Sequence, residues 1–360
     1  MIGDEYEILI LTEENGISVI EIGGVIYREE NSGVLSTEKN ITKIRLPQSA
    51  LDEAGEYTVI FYKTIDRKAY FSELAEPVSK KYSFKPLRKD GQIKIYYISD
   101  VHYKFANAKA AAEYFGLDTD LYIIAGDIGE VETVTNYEEI AEFSGDVSKG
   151  ERPVVFVRGN HDTRGKLAEL YTDYFPADGK KTYFTFRAGY INGIAFDCGE
   201  DKPDSCPEYT YPKPDVYGGV NVFSDFRERE DEFFKTLSPC KDGEITLAVG
   251  HIPPAYSTSQ PGTVFDIEGE RYAMWSSELD RVGVDFMISG HFHKVFVLEP
   301  GDARSLRPHS YPIIIGSALS GEDFVGTAIV LDRSGMEARF TNMNHEIIGT
   351  YTYKFKTEKA

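Results

Sequence analysis

Pro153-Val154-Val155-Phe156-Val157 stops abruptly at Arg158-Gly159 and delivers Asn160, His161 and Asp162 on consecutive residues. An apolar run of this length bounded by glycine reads as a fully buried strand, and in open α/β sheets ligands collect just beyond the carboxyl ends of such strands. An amide, an imidazole and a carboxylate are therefore expected together on a functional rim. The arrangement recurs four times. Ile93 to Ser99 ends in Asp100-Val101-His102, Leu121 to Gly126 in Asp127, Ile245 to Gly250 in His251, and Phe286 to Gly290 in His291-Phe292-His293. A lone Gly-His after a strand is ordinarily a structural histidine, but here five of the seven histidines follow an expected strand, which is the pattern of a site. His309 and His345 lie outside it and are expected to be structural.

Outward from this stretch, strands alternate with helical patterns from Gln92 onward, which indicates an α/β layer structure. Ala106 to Phe115, Asn136 to Val147, Arg164 to Tyr174, Ser224 to Leu237 and Trp275 to Arg281 read as helices. Tyr183 to Phe186 and Ile191 to Asp197 read as a strand pair. Two long loops, Cys198 to Val222 and Ile252 to Tyr272, interrupt the pattern, and Tyr209, Tyr211 and Tyr217 favour an ordered rim for the first. The β-rich remainder, Tyr311 to Ile315, Val325 to Asp332, Glu337 to Phe340 and Ile347 to Phe355, is expected to supply the second sheet of a sandwich.

Residues 1–88 read as a separate all-β unit, joined through a linker at Lys80 to Gly91 to a second domain over 92–360. Leu51-Asp52-Glu53-Ala54-Gly55-Glu56-Tyr57 resembles the tyrosine corner of fibronectin type III-like sandwiches, in which the Tyr bonds back to the preceding backbone.

Bulk properties narrow the function. The formal net charge of −20 disfavours duplex nucleic acid, which is held by neutralising its phosphates, whereas a small phosphate ester can still be drawn to a local cationic metal site. No window approaches the ~18 consecutive apolar residues of a membrane span, and Met1-Ile2-Gly3-Asp4-Glu5 lacks the marks of a signal peptide. Cys198, Cys206 and Cys240 form no CxxC pair and fit reduced thiols. Cytoplasmic residence is the expectation, with export the alternative if a leader was removed.

The strand ends supply Asp100, His102, Asp127, Asn160, His251, His291 and His293. This mixed N/O set suits Mn, Fe, Zn or Co and is poor for Ca. Seven side chains exceed one tetrahedral site and fit two divalent ions if a carboxylate bridges. Two such ions against two carboxylates leave about +2, a charge suited to a phosphate ester.

Asp100-Val101-His102, Gly126-Asp127, Gly159-Asn160-His161-Asp162, Gly250-His251 and Gly290-His291-Phe292-His293 resemble, in order, the five blocks of the calcineurin-like metallophosphoesterase superfamily. The resemblance implies a four-layer α/β/β/α fold and a dinuclear centre, with Asp100, His102, Asp127 and His293 on one metal and Asp127, Asn160, His251 and His291 on the other. The N-terminal β unit is similar in placement to that of purple acid phosphatases. Those enzymes carry a tyrosine ligand near the second block, where this chain has Glu130, so a tyrosinate-bound iron is not expected.

The implied reaction is hydrolysis of a small phosphate mono- or diester by a hydroxide held by the metals. His161 is the expected general acid, Asp162 would orient its ring, and Asn160, His161 and Arg164 would meet the phosphate. Arg158 is a second candidate for a phosphate oxygen. The rival readings are a cyclic-nucleotide phosphodiesterase or nuclease on the same centre, and a metal-stabilised scaffold presenting the β unit to an unknown partner.

Overall fold

In the strand Ile93–Ile98 the side chains of Ile95 and Tyr97 join one apolar cluster while Tyr96 and Ile98 join another, and all four are fully buried. Successive strand residues point to opposite faces, so a strand buried on both sides must lie in a sheet covered on both faces. The computed structural model, which describes residues 1–204, 222–239, 241, 243–258, 268–321 and 323–355, shows what covers it.

The first part of the chain runs β1 (Glu5–Leu11), β2 (Gly16–Ile22), β3 (Val25–Tyr27), β4 (Ile41–Pro47), α1 (Gln48–Ala54), β5 (Glu56–Arg67), β6 (Ser72–Leu74) and β7 (Val78–Ser83). Then follow β8 (Ile93–Ile98), α2 (Phe105–Ala112), β9 (Leu121–Ala125), α3 (Val134–Ser148), β10 (Val154–Val157), α4 (Tyr171–Tyr174), β11 (Phe184–Ala188), β12 (Ile191–Phe196), α5 (Phe223–Thr236), β13 (Ile245–Gly250), α6 (Gly269–Arg281) and β14 (Phe286–Ser289). The last strands are β15 (Phe296–Leu298), β16 (Ile313–Ile315), β17 (Ala318–Ser320), β18 (Asp323–Asp332), β19 (Gly335–Asn342) and β20 (Ile347–Lys354).

Two central sheets face each other. The first has the order β10-β9-β8-β18-β19-β20, with β17 on β18, and the second β11-β12-β13-β14-β16-β15. Between them Ile95, Ile123 and Val155 of the first sheet share a core with Ile191, Leu247 and Ile288 of the second. Outside the first sheet, Tyr96, Ile124 and Phe156 pack on α2 and α3 through Ala108, Tyr137 and Ile140. Outside the second, Phe196, Ala248 and Met287 pack on α5 and α6 through Phe234, Trp275 and Leu279. The architecture is thus the expected α/β/β/α sandwich. Strands β8, β9 and β10 run parallel, as do β12, β13, β14 and β16, so their carboxyl ends gather along one rim. No helix among the described residues is long and apolar enough to cross a membrane.

The structure revises several expectations. The C-terminal strands do not form the second sheet by themselves: β18 pairs antiparallel with β8 and brings β19 and β20 into the first sheet, and only β15 and β16 extend the second. Arg164 to Tyr174 is not one helix. Gly165 has φ +98, and the segment is tied to Val131 by bonds from Val131 N to Arg164 O and from Leu167 N to Val131 O, which leave only a 3-10 turn at Ala168–Leu170 and the single turn α4. Strand β7 takes the first part of the expected linker. Tyr209, Tyr211, Tyr217, Cys206 and Cys240 lie outside the described residues; Cys198 is a buried free thiol.

In the N-terminal region, β1 pairs with β4, while β3-β2-β5-β6 form a second sheet with β7 on β5. The Leu51-to-Tyr57 stretch is α1 closed by Gly55 in the left-handed region, and the buried Tyr57 donates its hydroxyl forward to Gly150 O at 2.7 Å, not back to the preceding backbone. Its strands do not stand apart from the rest. Tyr6, Leu46, Leu51 and Phe84 belong to the same apolar cluster as the facing sheets, Gly3 N donates to Thr185 O at 2.7 Å, and Lys43 Nζ donates to Phe175 O at 2.8 Å.

Candidate metal centre

Each candidate donor sits one to four residues past the end of a parallel strand, where the chain turns sharply. Among the described residues nine non-glycines have positive φ, and six of them are Asp100, His102, Tyr103, Asp127, His291 and His293. Such conformations cost of order 1–3 kcal/mol each and persist only where the surroundings over-determine them. The glycines make that possible. A Cβ on Gly159 would lie 2.4 Å from Asp127 N, and one on Gly290 would lie 2.4 Å from Asp100 Oδ2, so only glycine lets these turns approach each other.

The turns bring all seven donors together. Ligand atoms of Asp100, His102, Asp127 and His293 lie within 4.8 Å of one another, and so do those of Asp127, His251 and His291. Asn160 joins the second group, with its Oδ1 3.1 Å from His291 Nδ1. His102 Nε2 and His293 Nε2 are 3.1 Å apart. Two ring nitrogens at that separation match two ligands of one ion bound at ~2.1 Å.

Whether these residues fit a cation is tested by His251. Its Nδ1 contacts Ala125 O at 2.8 Å, and a carbonyl can only accept, so Nδ1 carries the hydrogen. The buried Nε2 then lies 3.0 Å from Asp127 Oδ2 and makes no hydrogen bond. A lone pair facing a carboxylate in a buried site requires a proton or a metal ion between them. Burial opposes protonation of His251, but the charges of Asp127 and Asp100 outweigh it and push the imidazole up to about 10. Burial pulls His102 and His291 down to about 4, so both present neutral rings with available lone pairs. The site fits a divalent cation.

A second set of contacts fixes the donors. Ser99 Oγ donates to Asp100 Oδ2 at 2.6 Å, and His291 N donates to Asp100 Oδ1 at 2.9 Å. Asp162 is turned away from its neighbour's ring: Oδ2 accepts from Gly159 N and Asp127 N at 2.7 and 2.9 Å, and Oδ1 from Ile128 N at 3.0 Å. Burial, and then the charge of Asp127, push its carboxyl up to about 7. The expectation that Asp162 orients His161 is therefore corrected. In the 3-10 turn His161–Thr163 adjacent side chains diverge, and Asp162 clamps the β9 loop onto the β10 loop.

The group beside the His161 ring is Glu130, whose Oε1 lies 3.1 Å from Nδ1. The ring is partly exposed and stands edge-on to His102 at 4.8 Å between centroids. Arg164 Nη1 lies 3.0 Å from His161 Nε2, while the rest of the guanidinium is held by Glu200 at 2.8 and 2.7 Å and by Asp201 at 3.1 Å. Arg158, the other arginine candidate, donates to Asp197 Oδ2 at 2.7 Å between the rings of Tyr171 and Phe226 and has a structural role. His309, bonded to Ser305 Oγ and Tyr311 O, and His345, bonded to Ala110 O, are structural as expected.

Glu200 and Asp201 were not legible as site residues, and Glu130 was marked only as standing where purple acid phosphatases carry a tyrosine ligand. The one available signal was that Asp197 to Asp201 follows the strand β12, so a sixth strand end carries acidic groups to the same rim.

Two facing sheets with imidazoles and carboxylates at their carboxyl rim define a metallophosphoesterase fold and site. The model of the calcineurin-like phosphoesterase family matches residues 93–295, more than half of the 360, and the chain belongs to that family of metal-dependent phosphoester hydrolases. Purple acid phosphatase PPD1 from yellow lupin (Lupinus luteus) is similar over 98% of this chain and 72% of its own, with a TM-score of 0.64 and 11% identity. PhoD is similar over 98% and 87%, with a TM-score of 0.57 and 11% identity. At such identity the likeness is one of fold. A search of curated protein sequences gives no match.

Proposed function

We propose that the seven donors hold two divalent ions sharing Asp127, with Asp100, His102 and His293 completing one set and Asn160, His251 and His291 the other, and that the centre hydrolyses a small phosphate mono- or diester. The observation that carries this reading is Asp127, the one residue common to both donor groups. The mixed N/O donors favour Mn, Fe, Zn or Co. When bound, such ions polarise phosphoryl oxygens and activate water at neutral pH.

The chain's own residues supply orientation and a proton. Glu130 lies against Nδ1 of His161, and Nε2, which faces Arg164 Nη1 in this structure, is the nitrogen that would protonate the departing oxygen. Asp162 keeps the β9 and β10 turns at their spacing, and Asn160 and Arg164, on the same loop as His161, are the residues that would meet the phosphoryl group. Metal analysis of the fully loaded, full-length protein tests the reading: two equivalents per chain are expected, with turnover of phosphate esters restored by at least one of Mn, Fe, Zn and Co. A stoichiometry fixed at one would overturn it.

A further inference from the structure

The turn after β12 is a built platform. Glu230 Oε1 accepts from Asp197 N at 2.9 Å, and the fully buried Arg227 donates from Nε to Cys198 O at 2.8 Å and from Nη2 to Glu200 O at 2.6 Å. Both residues come from α5, and Arg158 adds its bond to Asp197 from the end of β10. A turn fastened at Asp197, Cys198 and Glu200 holds its side chains in fixed places.

What it holds is a pair of carboxylates against the cations of the rim. Glu200 is nearly fully buried and grips Arg164 through two parallel N–H···O bonds, a geometry that fixes both partners and joins their charges. Asp201 contacts the same guanidinium at 3.1 Å and also Lys202 Nζ at 2.9 Å. Glu130 Oε1 lies 3.1 Å from Nδ1 of His161, a ring that Arg164 Nη1 also contacts. Beside His161, Arg164 and Lys202 are matched by Glu200 and Asp201, and the imidazolium that His161 must be to act as an acid is matched by Glu130, so these groups together carry no net positive charge.

This balance bears on which ester the centre accepts. A phosphate monoester above the second phosphate ionisation near about pH 6 is a dianion, whereas a diester is a monoanion. A charge that the metals do not neutralise must face the rim, where each cation is already matched by a carboxylate and no net positive charge is left to meet it. Resting on the two-ion reading, we propose that the Glu200–Asp201 platform makes the centre selective for monoanionic phosphodiesters over dianionic monoesters. In that reaction water gives up a proton to solvent as its oxygen forms a bond to phosphorus, the bond from phosphorus to one ester oxygen breaks, the leaving alcohol takes its proton from His161, and His161 is reprotonated from solvent. The other product is a monoester, which becomes dianionic and finds no net positive charge on the same rim.

Kinetics of the full-length, metal-loaded protein at about pH 8 on bis(4-nitrophenyl) phosphate and 4-nitrophenyl phosphate test this. The two share a leaving group and differ in charge. The diester is expected to have the higher kcat/KM by at least about tenfold, and Glu200→Gln and Asp201→Asn are each expected to shift the ratio toward the monoester by about tenfold. Asp201→Asn leaves the Arg164–Glu200 pair in place, so it separates charge from any displacement of Arg164. A wild-type preference for the monoester overturns the proposal, as does a diester preference that neither variant changes. Turnover of neither ester by folded, metal-loaded protein would overturn the phosphoesterase reading instead.

Discussion

The rim of the facing sheets and the N-terminal strands are built on opposite terms. At the rim, Asp100, Asp127, Asn160, Asp162 and His251 are each at most 2% exposed, and six non-glycine residues have positive φ. In residues 1–83 no non-glycine has positive φ, and the buried side chains are mostly apolar. Buried charge and strained backbone oppose folding, whereas apolar burial favours it at about 25 cal/mol per Å². The rim therefore has the marks of a site kept at the expense of stability. The N-terminal strands contribute none of the seven donors and share the core of the facing sheets, so they are expected to add stability rather than chemistry.

The comparison predicts that rim variants lose activity and N-terminal variants lose stability. The largest effect is expected from Asp127→Ala, which should release both metal equivalents and reduce turnover to background, as read by metal analysis and kinetics in parallel. Retention of one full equivalent would show that Asp127 belongs to a single ion. Next comes His161→Gln, which should keep the metals and slow hydrolysis of an alkyl phosphate ester by about 10²–10⁴, with a markedly smaller loss on a nitrophenyl ester whose leaving group needs little protonation. Equal losses on both esters would assign His161 to binding.

On the other side of the comparison, Leu51 is the fully buried residue of α1, and Leu51→Ala should lower unfolding free energy by about 2–5 kcal/mol while kcat of the folded fraction stays unchanged. A fall in kcat would mean that the N-terminal region positions the rim. The smallest effect is expected from Tyr57→Phe, which removes the bond to Gly150 O. Denaturant unfolding should register a loss of about 1 kcal/mol, with metal content and kcat both intact.

Much of this was legible in the chain. The donors could be found because a parallel strand leaves a local signature, an apolar run that stops at glycine, and the residues that follow it must emerge at the rim whatever the rest of the fold does. Strand boundaries came out close for the same reason: β13 is Ile245–Gly250, and β14 is Phe286–Ser289. Helical periodicity failed at Arg164 to Tyr174, where Leu167, Leu170 and Tyr171 have the right spacing. The competing bonds to Val131 come from a segment more than thirty residues away and leave no mark in the local pattern.

The sequence by itself determined the α/β/β/α class and which seven side chains could meet a metal, because both follow from local runs of apolar residues and from the chemistry that ends them. Only the tertiary structure decided how the remaining charges are shared. Asp162 serves the backbone amides of two turns, Glu130 stands beside His161 from thirty-one residues away, and Glu200 holds Arg164 across thirty-six. Those partnerships are set by how two sheets face each other and by which turn α5 fastens. A carboxylate carries no sign in the sequence of which cation it will meet, since the pairing depends on distance in space and on burial.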